Sequence, residues 1–234
     1  MLHSHKRLLI IGAMGAGALA ACAVPAGPEP AIRTGDATKA SSPVAQQPAK
    51  SPQKKQTGSI SASNPAIVLC KTSVSNAPVA DANGVIDSGP LIEVDEVILA
   101  LMPATNSCLS SGYGQRNGKL HRGIDYFSKN GGDALAAGDG VIIEKKTRAD
   151  FGNMIVIDHG AGVYTRYAHL EKFAGGLVEG ASIKRGADLG PIGSTGATSV
   201  RHLHYEVMSG TYVSGAGSFG LKTLDPFALP RAGA

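Results

Sequence analysis

The feature that most constrains this chain is a recurrence. After Ser107, short apolar runs return about every ten residues, each bounded by glycine-rich turns, and that spacing predicts an all-β domain of short strands. Val141-Ile142-Ile143, residues 153–157, residues 163–168 and residues 202–208 are the clearest of these runs. In Met154-Ile155-Val156-Ile157 both alternating faces are apolar, which predicts a central strand covered on both sides. None of the runs needs a helix. Composition agrees: 43% hydrophobic and 17% charged residues with 31 glycines suit a turn-rich domain. The 234 residues allow one ordinary domain plus tails. A formal charge of +4 would suit an acidic polymer, but the chain has no Trp and no basic run interleaved with aromatics, so nucleic acid is not an expected partner.

The first residues read as a targeting segment and are excluded from the fold. Lys6 and Arg7 precede an apolar run from Leu8 to Ala21, shorter than the ~20 residues of a membrane span. Its end, Leu19-Ala20-Ala21-Cys22, resembles the lipobox of bacterial lipoproteins, which implies cleavage before Cys22 and lipid attachment to its sulfur. A plain secretory signal with an incidental cysteine, or a short internal apolar stretch, is the alternative. Ala23 resembles an outer-membrane address, since in Gram-negative lipoproteins an Asp at that place favours inner-membrane retention. The expected location is therefore the periplasmic face of the outer membrane, with the membrane a partner through the anchor. Residues 22–64 turn to Pro, Ala, Ser, Gly, Gln and Lys, too polar to bury surface against chain entropy, and read as a tether. Extended like polyproline at ~3.1 Å per residue, about 40 residues reach on the order of 100 Å.

Residues 65–106 contain strand-like stretches, Ala66 to Cys70 and Leu91 to Leu99, but no motif, and are read as an N-terminal extension of the domain at 107–230. Once Cys22 is lipidated, Cys70 and Cys108 remain as an even pair in an oxidising compartment, open to a disulfide or to two buried thiols.

Two segments carry chemistry. In His121-Arg122-Gly123-Ile124-Asp125-Tyr126 an extended backbone puts His121, Gly123 and Asp125 on one face, so an imidazole and a carboxylate flank a residue with no side chain to obstruct an ion. In His202-Leu203-His204-Tyr205-Glu206-Val207 the same period puts His202, His204 and Glu206 on one side and turns Leu203, Tyr205 and Val207 inward. Three ligands drawn from His and Asp with an open fourth position describe a catalytic zinc site, whereas structural sites are usually closed by cysteines. Alone, either segment is weak, because a His-x-His in a strand is more often exposed or structural.

In context these residues resemble the lysostaphin-like, or LytM-type, peptidoglycan metallopeptidases. Ser111-Gly112-Tyr113-Gly114-Gln115-Arg116 resembles the entry to that domain and His121-x-Gly123-x-Asp125 its first metal motif. Gly138-Asp139-Gly140-Val141, Gly152-Asn153, Asp158-His159-Gly160, Tyr167-Ala168-His169-Leu170 and Gly193-Ser194-Thr195-Gly196 follow in order, and then the His-x-His segment and Asp225-Pro226. The resemblance implies an antiparallel sheet forming a groove with the metal on its floor. It implies Zn²⁺ held by His121, Asp125 and His204, with His169 and His202 as catalytic histidines, either of them the base. His159 is not a ligand. The implied reaction is hydrolysis of peptide crosslinks in peptidoglycan during wall remodelling.

Some members of that family have lost ligands and instead activate cell-wall amidases. This alternative makes amidases partners, although here all five site residues are kept. A carrier hairpin, suggested by Val178-x-Gly180-x-x-Ile183-x-x-Gly186, lacks the lysine it would need and leaves the histidines unexplained. One departure stands out. Val200-Arg201 occupy the place where the family commonly has Gly-Pro, and Arg201 is expected either to contact a substrate carboxylate at the groove rim or to be a solvated loop residue.

Overall fold

The computed structural model describes residues 66–233; the expected targeting segment, the tether and Cys22 lie outside the described residues. The described chain opens with two antiparallel pairs, β1 (Ile67–Val68) with β2 (Val85–Ile86) and β3 (Leu91–Val94) with β4 (Val97–Ala100). Next come β5 (Cys108–Ser111), a hairpin of β6 (Gly114–Arg116) and β7 (Lys119–His121), then β8 (Ile124–Phe127) and β9 (Asp133–Leu135). Three longer strands, β10 (Gly140–Arg148), β11 (Gly152–Asp158) and β12 (Val163–Leu170), form a meander. The short β13 (Ser182–Ile183) and β14 (Asp188–Pro191) precede β15 (His202–Ser209) and β16 (Lys222–Leu224). Two 3-10 turns, Ser218–Gly220 and Pro226–Ala228, are the only helical elements among the described residues. The four clearest apolar runs of the sequence thus fall within β10, β11, β12 and β15.

Eight of these strands assemble as one antiparallel sheet in the order β13-β10-β11-β12-β15-β8-β5, with β16 beside β15, and the others form two-stranded pairs. One edge of β15 is shared, with β8 alongside residues 202–205 and β16 alongside residues 207–209. Both faces are covered, as the unbroken apolar run of β11 requires: Ile155 and Ile157 enter a large core, while Met154 and Val156 enter a smaller one. Each such fully buried aliphatic side chain contributes roughly 1.5–3 kcal/mol.

The extension is part of the large core. Ile67, Ile86, Ile92, Val94 and Leu99 pack with Ile124, Tyr126, Leu203 and Tyr205. Buried tyrosine hydroxyls find acceptors there, Tyr126 on the Leu101 carbonyl at 2.8 Å and Tyr205 on the Ala100 carbonyl at 3.2 Å. The strand-like stretch from Leu91 to Leu99 is not one strand but a hairpin, turned by Asp95 and Glu96 at φ 45° and 68°. Such turns need positive φ at both central residues, which Asn-Gly signals and Asp-Glu does not. Cys70 and Cys108 are joined as a disulfide, which ties the extension to β5.

Candidate metal centre

The register of the sheet builds the site. β15 lies beside β8 with His204 opposite Asp125, and the β6–β7 hairpin delivers His121 to the same point. A close crossing makes this work. A Cβ on Gly123 would lie 2.4 Å from the Tyr205 carbonyl and 2.9 Å from Glu206 Cγ. The glycine expected to clear space for an ion therefore clears space for β15 instead.

Three ligand atoms converge. His121 Nε2 is 3.1 Å from Asp125 Oδ1 and 3.2 Å from His204 Nδ1, which is 2.9 Å from that same oxygen. A tetrahedral ion with bonds of ~2.0–2.1 Å holds its ligand atoms about 3.3 Å apart. Hydrogen-bond accounting shows why an ion belongs there. His121 Nδ1–H donates to the Gly112 carbonyl at 2.7 Å, and His204 Nε2–H donates to Glu206 Oε1 at 3.0 Å. Each ring then turns a lone pair toward the carboxylate oxygen, and three buried acceptors facing one another require a cation. With only a proton available, burial would lower the His204 imidazole, but the hydrogen bonds and charges of Asp125 and Glu206 push it up to about 9. Burial likewise opposes ionisation of Asp125, yet hydrogen bonds from His121 and His204 hold its carboxyl well below the usual range.

Behind the ligands lies a buried ion pair. Glu206 Oε2 accepts from Arg166 Nη1 at 2.6 Å, with Arg166 also donating to Ser218 Oγ at 2.8 Å and stacking over Phe151 and Phe219. Arg116 donates to Asp125 Oδ2 at 3.3 Å and to Ser111 Oγ at 3.0 Å. Sequence reasoning missed Arg166 and Arg116 as parts of the site. An arginine alternating with apolar residues in 163–168 was the available signal for the first.

His169 and His202 stand beside the ligands with ring centroids 4.7 Å apart. His202 Nδ1 donates to the Val200 carbonyl and His169 Nδ1 to the Thr195 carbonyl, each at 2.8 Å. Each Nε2 is thereby left as an acceptor, and that of His202 lies 3.7 Å from Asp125 Oδ1. Burial, followed by the neighbouring histidines, drives His169 down to about 4 despite its carbonyl bond, and burial also lowers His202. Both rings are neutral near pH 7.

The position of His169 depends on a bulge. Val163, Thr165 and Tyr167 face the large core, so strict alternation would bury His169 there; instead the pairing of β11 with β12 shifts register and His169 adopts φ 62°. That left-handed residue turns the ring to the cleft. His159 is elsewhere, bonded to the Asp139 carbonyl and to Thr165 at 2.7 Å each. Arg201 Nη1 holds Glu171 Oε2 and the Ile192 carbonyl, both at 2.7 Å, and Arg201 is not among the residues that line the cleft. The cleft itself, about 770 Å³, contains His121, Asp125, His169, His202 and His204, and no described residue of the extension lines it.

Two imidazoles and a carboxylate converge in an open cleft on an antiparallel sheet with the geometry of a metal-ligand set. Residues 119–215 match the model of peptidase family M23. It is 39% identical over 110 residues to the DD-carboxypeptidase/endopeptidase Mpg of Neisseria meningitidis, a match covering 44% of this chain and 25% of that protein. It is also 41% identical over 91 residues to the peptidoglycan DD-endopeptidase ShyC of Vibrio cholerae, covering 38% of this chain and 20% of that one. The match thus spans no more than a quarter of these relatives' length. Among solved structures, the catalytic domain of lysostaphin from Staphylococcus simulans is similar at 29% identity and TM-score 0.44, covering 52% of this chain and 90% of that domain.

Proposed function

We propose that this protein is a zinc-dependent endopeptidase that hydrolyses peptide crosslinks of peptidoglycan. The observation that carries the reading is the convergence of three acceptors from His121, Asp125 and His204 beside two neutral histidines in an open cleft. Relatives named as peptidoglycan DD-endopeptidases support the substrate class. Zinc held by these ligands would supply a Lewis acid for the scissile carbonyl and lower the pKa of its water toward ~7.

The chain's own residues do the rest. His202 Nε2, an acceptor on the Asp125 side of the cleft, takes the proton from the attacking water, and Asp125 steadies the imidazolium so formed. The same N–H then donates to the leaving amine. His169, lacking that carboxylate contact, orients the water through Nε2.

The test combines zinc content of the purified domain with mass spectrometry of muropeptides released from isolated wall. Stoichiometric zinc with new free amines is expected. Intact wall with zinc bound would defeat the peptidase reading and leave an amidase regulator.

A further inference from the structure

The charges that line the cleft are not all paired. Its three carboxylates are all matched: Asp125 has Arg116 at 3.3 Å, Asp150 has Arg148 at 2.8 Å and Glu206 has Arg166 at 2.6 Å. Lys119 and Arg122 also line the cleft, and among the described residues neither side chain has an ion pair or hydrogen bond. The hairpin pairs Lys119 directly with Arg116 across the turn Asn117-Gly118. Like charges directly opposite one another destabilise a hairpin, and nothing among the described residues neutralises Lys119.

Orientation adds to this. By strand alternation Lys119 shares a face with His121, two residues on. Arg116 uses only Nη1 on Ser111 and Asp125, while its side chain stays 39% exposed with the other guanidinium donors unbonded. Ala197, Thr198 and Val200, which also line the cleft, are uncharged.

We propose that Arg116 and Lys119 form a carboxylate-binding subsite at the rim of the metal centre, selecting peptides with a free carboxylate close to the scissile amide. The inference rests on the peptidase reading and specifies its substrate. A planar fork and an adjacent ammonium are the groups that grip a carboxylate. Because Arg116 already touches Asp125, the group it holds lies within about two residues of the bond cut, at ~3.3–3.6 Å per extended residue.

The test uses two dye-labelled peptides with a ketomethylene in place of the scissile amide, one bearing a carboxylate on the neighbouring residue and the other its carboxamide. Fluorescence anisotropy with the metal-loaded protein should show the acid binding roughly 10-fold tighter, as for bonds to charged groups. Lys119→Glu should abolish that preference with little change for the carboxamide, whereas Lys222→Glu, the same charge change outside the cleft, should preserve it. Equal affinities in the wild type, equal losses in the two variants, or no binding of either peptide would overturn the subsite. Muropeptide release separates the two readings. Wall cut by a protein that binds the twins alike leaves the peptidase standing without the subsite, and discrimination without cutting leaves the reverse.

Discussion

At the scale of single residues, the site depends on which nitrogen of each histidine is already committed. Glu206 fixes His204 with Nδ1 toward the metal, and Arg166 fixes Glu206, all of them buried. Glu206→Gln should therefore lower metal affinity by ~10–100-fold, measured by chelator competition, because partners of ligating histidines have effects of that size. It should also lower Tm, since it leaves the Arg166 cation buried without its counter-charge. His204→Ala should lose both metal and wall hydrolysis, while His169→Ala loses hydrolysis and keeps the metal; equal zinc loss in the two would reverse the assignment. The depressed basicity of His169 and His202 sets a pH dependence. Neutral rings are the working form, so with metal in excess kcat/KM should hold its plateau below pH 6.5 instead of falling there as an ordinary imidazole would. The linkage has a definite sign: below 6.5 the unfolded chain takes a proton that folded His169 refuses until about 4, so His169 withdraws stability as pH falls through that window.

At the scale of elements, the segment from Cys70 to Asn76 acts as a strap behind the metal site. Cys70 N–H donates to the Leu109 carbonyl at 2.9 Å and Gly112 N–H to the Ser75 carbonyl at 2.8 Å. A Cβ on Gly112 would stand 1.9 Å from the Asn76 carbonyl oxygen. Gly112 in turn supplies the carbonyl that orients His121. Replacing both Cys70 and Cys108 by Ser opens a crosslink across 38 residues, which loop entropy values at about 4 kcal/mol. The expected outcome is a lower Tm together with weaker metal binding, from loss of the strap; thermal scans with and without metal would read both. An unchanged metal affinity would mean that Gly112 holds its place without the strap.

At the scale of the whole molecule, the sheet keeps its two faces apart in function. The extension adds apolar side chains to the large core on one face, and the other face carries the smaller core and the cleft. If the lipobox reading holds, Cys22 and the tether carry this domain to wall polymer beyond the membrane surface. Cys22→Ser should then abolish incorporation of a labelled fatty-acid analogue, and unchanged labelling would remove the anchor from the account.

The sequence by itself determined the four clearest strands and which histidines and carboxylate to examine as candidate ligands. Periods of two are written locally, so β8, β11 and β15 and the shared face of His202, His204 and Glu206 were legible from alternation, and motif order supplied the ligand set. What depends on distant parts of the chain was not legible. The Asp95-Glu96 turn runs against local preference and holds because both its strands pack into the core. Arg201 turns away from the cleft because Glu171 and the Ile192 carbonyl, brought near only by folding, outcompete solvent for its guanidinium. His169 reaches the cleft only through a bulge that reverses the alternation predicted for its strand. The tertiary structure alone decided these, because each is fixed by a partner that local sequence cannot name.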